Sequence, residues 1–243
     1  MTDLRLELRS DAAPISAKRA VLAAPRVGVG RALRGAVADF YEHSWRLVLL
    51  NGALSAFAFS FLLATQYLPL SLALALLAIA LGPPVLALAH CAVTIVQTDD
   101  LQLGDFARGL RLHWRRGFAL GSLAAGFVLL TVIAFSFYAG RSTSAWPLAF
   151  LVLYLTGLLG VLQLPLWPLA VVRRELPLRR VLRDAALATA RRPRASLGLA
   201  AALLLVNVLG VAAAVLPFLT MTVAYSFLAT AHFFVPRERT GEA

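Results

Sequence analysis

A succession of long apolar runs, each without a single Asp, Glu, Lys or Arg, constrains this chain more than any other feature. A helix needs about 20 apolar residues to cross the hydrocarbon of a bilayer. Six segments meet that length: 47–66, 70–97, 117–139, 145–172, 195–215 and 217–235. The last two come from one stretch of 41 residues, too long for a single crossing and divided at Pro217. Composition agrees, with 60% hydrophobic and 14% charged residues, against roughly 45–50% and 25% in soluble domains. The expected fold is all-α, a polytopic transmembrane helical bundle. Residues 1–30 read as a flexible cytoplasmic segment, 31–236 as the six-span membrane domain and 237–243 as a cytoplasmic tail. The first thirty residues hold no apolar core of about 7–15 residues, so no cleaved signal peptide is expected.

Charge placement predicts the orientation. With the N-terminus inside, 22 of the 23 Lys and Arg residues fall on the inner side, leaving only Arg141 outside, and all 12 acidic residues join them. Positive flanks resist translocation, and an odd number of spans would destroy this pattern. The prediction is N-in, C-in, in a bacterial cytoplasmic (inner) membrane. The formal charge of +11 does not suggest nucleic acid, because the basic residues flank apolar segments and form no basic face with stacking aromatics. Tyr67, Tyr138 and Trp146 fall at the outer boundary, Trp45 and Trp114 at the inner one, where amphipathic rings settle. Tyr154 and Tyr225 lie deep within spans, and each is expected to bond to a neighbouring helix.

Three basic amphipathic segments are predicted to lie in the inner interface, arginines towards anionic headgroups. The first, "RALRGAVADFYEHSW", sets Leu33, Val37, Phe40, Tyr41 and Trp45 on one side. In the second, "DFARGLRLHWRRGF", Phe106, Leu110, Trp114 and Phe118 oppose Arg108, Arg111 and Arg115. In the third, "LPLRRVLRDAALATARR", Leu178, Val181, Leu182 and Ala185 oppose Arg179, Arg180 and Arg183. These six arginines are the candidate surface for a partner or for anionic inner-leaflet lipids. The second and third segments also align with each other at an offset of about 75 residues, each followed by a small-residue-rich span. Such an internal repeat is a recurrent feature of transporters, whose sites lie between the repeats.

Within the spans, the prolines and a few polar groups stand out. Proline removes a backbone donor and clashes with the preceding turn. Kinks are therefore expected at Gly82, Pro83 and Pro84, and again at Pro165 and Pro168. Two kinked helices facing each other would open a space near the midplane, with Gly82, Pro83, Pro84, His90, Gln163, Pro165 and Trp167 as its candidate lining. His232 is placed near the inner end of the last span, within reach of water. Asn51 and Asn207 are expected to bond across helices, as amides in lipid do. The lone Cys91 excludes an internal disulfide and any multi-cysteine metal site, and reads as a small buried hydrophobe. No phosphate-binding loop, H-E-x-x-H, G-x-S-x-G or buried carboxylate pair occurs. No catalytic residue, cofactor or metal site is predicted, and an enzyme is not expected.

The order of features is similar to that of the YesL-like family of bacterial integral membrane proteins, a domain of unknown function. It runs from an amphipathic lead-in ending at "LVLLN", through "GPPVLAL" and "DDLQLGDFARGLRLHWRRG", to "LQLPLWPLAVVRRELPLRRVLRDAALATARRP". The family shows a Leu-Asn in its first span, a Gly-Pro followed by Ala or Leu, and two basic segments; the likeness covers roughly residues 37–235. Here Asn51 and Gly82 are 31 residues apart, a longer first hairpin than the family's, which puts the equivalence of the proline region in doubt. The resemblance implies an accessory role beside a carbohydrate-uptake system, with ABC-type transporter subunits as partners. "RDAALATARR" is also similar to the ATPase-docking loop of ABC-type permeases, but it lacks that motif's glycine and its I-x-L-P ending. The alternatives are an autonomous carrier or channel for a small uncharged solute, using the midplane residues, and an organiser of anionic lipids.

Overall fold

The computed structural model describes residues 27–141, 145–213 and 221–236. Among them the chain is all-helical: α1 (Val29–Glu42), α2 (Ser44–Ala64), α3 (Leu70–Thr98), α4 (Leu103–Ala139), α5 (Trp146–Val172), α6 (Leu178–Arg191), α7 (Pro193–Ala213) and α8 (Val223–Phe234). Five of these, α2, α3, α4, α5 and α7, are long and apolar enough to cross a membrane. The protein is thus a multi-pass helical membrane protein. The 12 residues of α8 rise only about 18 Å. The division expected at Pro217, most of the N-terminal segment and the tail after residue 236 lie outside the described residues.

α3 is the centre of the bundle. Leu86, Leu88, Ile95 and Val96 are fully buried on it, as is Cys91. The helix stays continuous through Pro83 and Pro84 and ends at Asp99, whose φ of 55° is left-handed and lets its N–H reach back to Ile95 O at 2.9 Å. Leucines, valines and phenylalanines on the outer faces, such as Phe59, Leu130, Ile133, Phe150 and Leu204, are exposed. In a bilayer these are the lipid-facing surface.

All three expected interfacial segments depart from expectation in some respect. The second does not lie apart from its span, because Leu103–Ala139 is a single helix of 37 residues, about 55 Å long. A capping box starts it, with the Gln102 N–H donating to Asp105 Oδ2 at 2.8 Å. At Gly117 nothing removes a backbone donor, so the helix runs on. The third segment is a separate helix, α6, but Val181, Ala185 and Thr189 bury its apolar side against the bundle instead of leaving it to lipid. Arg192 is non-helical, at φ −141° and ψ 59°, as a residue before proline tends to be, and Pro193 opens α7.

The first segment turns only part of the face that hydrophobicity selects to the bundle: Leu33 and Phe40 lie half-buried against the core. Val37, Tyr41 and Trp45 are 58%, 83% and 59% exposed. The buried residues of α1 are Ala32, Ala36 and Asp39, and these pack on α8. Close packing in lipid favours small residues, because bulky apolar ones gain nothing by leaving it.

Candidate functional site

Buried polar groups gather at the arginine-bearing end of the bundle, where α3, α5 and α8 end and α2, α4 and α7 begin. The α3–α4 seam organises them. Asp105, Gly109, His113, Gly117, Gly121 and Ala125 recur every four residues and are all buried. A Cβ at Gly82 would overlap the Gly117 carbonyl oxygen, and one at Gly117 would overlap Pro83 Cα. A Cβ at Gly121 would stand 2.6 Å from Ala78 O and 3.0 Å from Ile79 O. Ile79 O is the carbonyl that Pro83 leaves without its helical donor. It is turned to a glycine of the neighbouring helix, where Cα–H groups give weak hydrogen bonds.

Two turns along this seam, His90 of α3 faces α4. A Cβ at Gly109 would meet His90 Cδ2 at 2.8 Å, so glycine there makes room for the ring. The His90 and His113 rings are 5.3 Å apart between centroids and tilted by 53°. His113 is buried and His90 half-buried. The Nδ1 atoms of both are buried and have no hydrogen-bond partner among the described residues. Asp105, whose side chain also accepts from Arg108 at 3.3 Å, is the buried carboxylate of the same helix.

Three arginines are spent inside the fold. Arg116 donates to Ala170 O at 3.2 Å, to Arg173 O at 3.0 Å and to Leu176 O, closing the C-terminus of α5. A cation there satisfies orphan carbonyls and opposes the helix dipole. Arg173 pairs with Asp184 of α6, and burial pushes its guanidinium below its ordinary pKa. Arg46 donates to Leu101 O and lies 3.5 Å from Asp100 Oδ1, tying α2 to the α3–α4 turn.

A second buried pair joins the first and last described helices. His232 Nε2 lies 2.8 Å from Asp39 Oδ2, with both side chains 9% exposed. Asp39 O also bonds His43 Nδ1 at 3.1 Å, and Gly35 makes room for the His232 ring. His232 is therefore buried, not open to water as expected.

The structure divides the expected midplane set. Gly82, Pro83 and His90 face α4, and the glycine backbone of α4 fills the space beside them. Gly82, Pro83 and Pro165 are buried, Pro84 and Gln163 half-buried. Trp167 of α5 meets Phe227 of α8 edge-on at 6.4 Å. Asn51 is fully buried on α2, and Asn207 Nδ2 donates to Ser226 Oγ of α8 at 3.0 Å. Tyr225 Oη donates to Leu33 O at 3.4 Å. Tyr154 is 69% exposed and makes no hydrogen bond among the described residues, so its ring faces lipid rather than a neighbouring helix.

Arg108, Arg111, Arg115, Arg179, Arg180 and Arg183 are all exposed. Beside them a shallow groove of about 360 Å³ is lined by Leu110, Arg111 and Trp114, and Arg115 stacks 5.2 Å from the Trp114 ring centre. Reading the sequence by hydrophobicity missed Asp39, Asp105, His113 and Arg116. The four-residue spacing of Gly109, His113, Gly117 and Gly121 was the available signal for two of them, Asp105 and His113. No group of three or more His, Cys, Asp or Glu side chains is placed to hold a metal among the described residues. No family model, no curated protein and no solved structure matches the chain.

Proposed function

We propose that the protein is a YesL-like, non-enzymatic accessory component of a transport system, carbohydrate uptake being the class the resemblance implies. It would sit in the bacterial cytoplasmic membrane with six spans, both termini inside, the sixth being 217–235 with α8 as its described part. Its docking surface is the arginine face of α4 and α6. One observation carries this reading. Arg46, Arg116 and Arg173 are consumed by internal carbonyls and carboxylates, whereas Arg111, Arg115, Arg179, Arg180 and Arg183 are exposed and form no ion pair among the described residues. Unpaired exposed cations contribute little to stability and serve recognition of acidic surfaces.

The test is gentle extraction of tagged protein with mass spectrometry of what accompanies it, for wild type and for a variant with Arg108, Arg111 and Arg115 changed to Glu. The proposal expects near-stoichiometric ABC-type transporter subunits with wild type and their loss from the inserted variant. An unchanged partner set in the variant would remove the arginine face from the mechanism.

The groove at Leu110, Arg111 and Trp114 favours a second reading, recognition of anionic lipid, since an arginine beside an interfacial aromatic suits a phosphate headgroup. Salt-sensitive enrichment of anionic lipid that disappears in the same variant would support it. An autonomous carrier has less support, because Gly82, Pro83 and His90 are packed against α4.

A further inference from the structure

We propose that His90 and His113 form a two-imidazole site for a soft monovalent cation of the copper(I) class, set into the seam between α3 and α4. The inference is independent of any transport role. Two observations converge on it. The rings come from different helices and stand 5.3 Å apart, and each carries a buried Nδ1 with no hydrogen-bond partner among the described residues. An orphaned buried nitrogen is costly; two on adjacent imidazoles share a single explanation in a common ligand.

The spacing fits. With both Nδ1 atoms directed at one cation about 2 Å away, the ion would lie roughly 3.2 Å from each ring centre, and rings 5.3 Å apart would subtend roughly 110° at it, within the range of tetrahedral and trigonal coordination. Gly109 lets the His90 ring lie close against α4, and half-burial of His90 leaves a way in.

Charge selects the ion. An imidazole binds a metal in its neutral form, and the fields of Arg108, Arg116 and Arg174 reach the pair against that of the carboxylate Asp105. Because the cost of desolvating an ion rises with the square of its charge, this site disfavours a divalent metal. Imidazole is among copper's preferred ligands, and copper(I) tolerates low coordination by protein.

The test uses the full-length protein in detergent, kept anaerobic, with copper(I) delivered from a chromogenic chelator. One equivalent bound per chain is expected. His90→Gln and His113→Gln should each weaken binding by at least about tenfold, while Cys91→Ala leaves it unchanged. X-ray absorption of the loaded wild type, which needs no variant to fold, should show imidazole nitrogen without sulfur. Failure to bind one equivalent, a sulfur ligand, dependence on Cys91, or zinc(II) bound as tightly as copper(I) would each overturn the proposal.

Discussion

In α4 the arginine-bearing turns and the apolar turns form one rod. In the α6–α7 pair a basic segment of similar sequence also closes on two arginines, but the helix breaks at Arg192. Laid side by side, Arg115-Arg116-Gly117 matches Arg191-Arg192-Pro193. Glycine permits the helix to continue and lets α3 approach its backbone; proline biases Arg192 out of the helical region and serves well as the first residue of the next helix. The rod carries Arg108, Arg111 and Arg115 in the turns that precede its apolar run. The broken version folds α6 onto the bundle through Val181, Ala185 and Thr189. One position thus separates a continuous helix from a broken one.

The sharpest way to break this comparison is to fill or exchange that position. Gly117→Leu places side-chain atoms where Pro83 Cα stands, with no flexible neighbour to yield. Overpacking costs about 1–3 kcal/mol where side chains can move, and the expected loss here is above that range. Gly126→Leu, on the same helix with open space around it, should melt close to wild type. The exchange is also asymmetric. Gly117→Pro should cost about 3 kcal/mol or more, as a mid-helix proline does, whereas Pro193→Ala should change stability by no more than about 1 kcal/mol. Thermal unfolding followed by circular dichroism in one detergent reads all four variants. Equal costs at 117 and 193 would mean that the two segments are held alike.

Neighbouring arginines sharpen it further. Arg116→Met leaves the α5 carbonyls of Ala170 and Arg173 without their donor, and about 2 kcal/mol is expected from losing hydrogen bonds to a charged group. Arg115→Met touches only the exposed Trp114 ring and should stay within about 0.5 kcal/mol. Similar melting of the two variants would show that the α5 carbonyls find other donors.

Much of this architecture is legible in the residues alone. Runs without charge announce the long helices, and Pro193 announces the break before α7. The packing faces are less legible. Hydrophobicity points to Phe106, Leu110, Trp114 and Phe118 on α4, and to Leu33, Val37, Phe40 and Tyr41 on α1 with Trp45 on α2; of these Leu33, Phe40 and Phe106 rest partly buried against the core. The faces that pack are Gly109, His113, Gly117 and Gly121, and Ala32, Ala36 and Asp39. In water a bulky apolar stripe seeks the core; next to lipid it has no reason to, and contact passes to residues that let backbones approach. That inversion hid His113 and Asp39, which occupy small-residue stripes. It did not hide α6, whose Val181 and Ala185 meet protein.

The smallest expected effect concerns the other side of α4. Where α3 meets α4 backbone to backbone, α5 meets α4 through side chains, among them a hydroxyl pair, Thr131 and Thr156, 2.9 Å apart. Thr156 already donates to Val152 O at 2.8 Å, so its single proton is engaged and Thr131 is the donor between helices. Thr131→Val should then remove the interhelical bond, and Thr156→Val should remove the same bond together with an intrahelical one that its own helix does not need. A double-mutant cycle should give a coupling of about 0.6 kcal/mol, the usual worth of a hydrogen bond between membrane helices. A coupling near zero would mean that apolar contact alone holds α5 to α4. A coupling above about 2 kcal/mol would mean that this hydroxyl pair holds α5 to α4 more strongly than a hydrogen bond between membrane helices usually does.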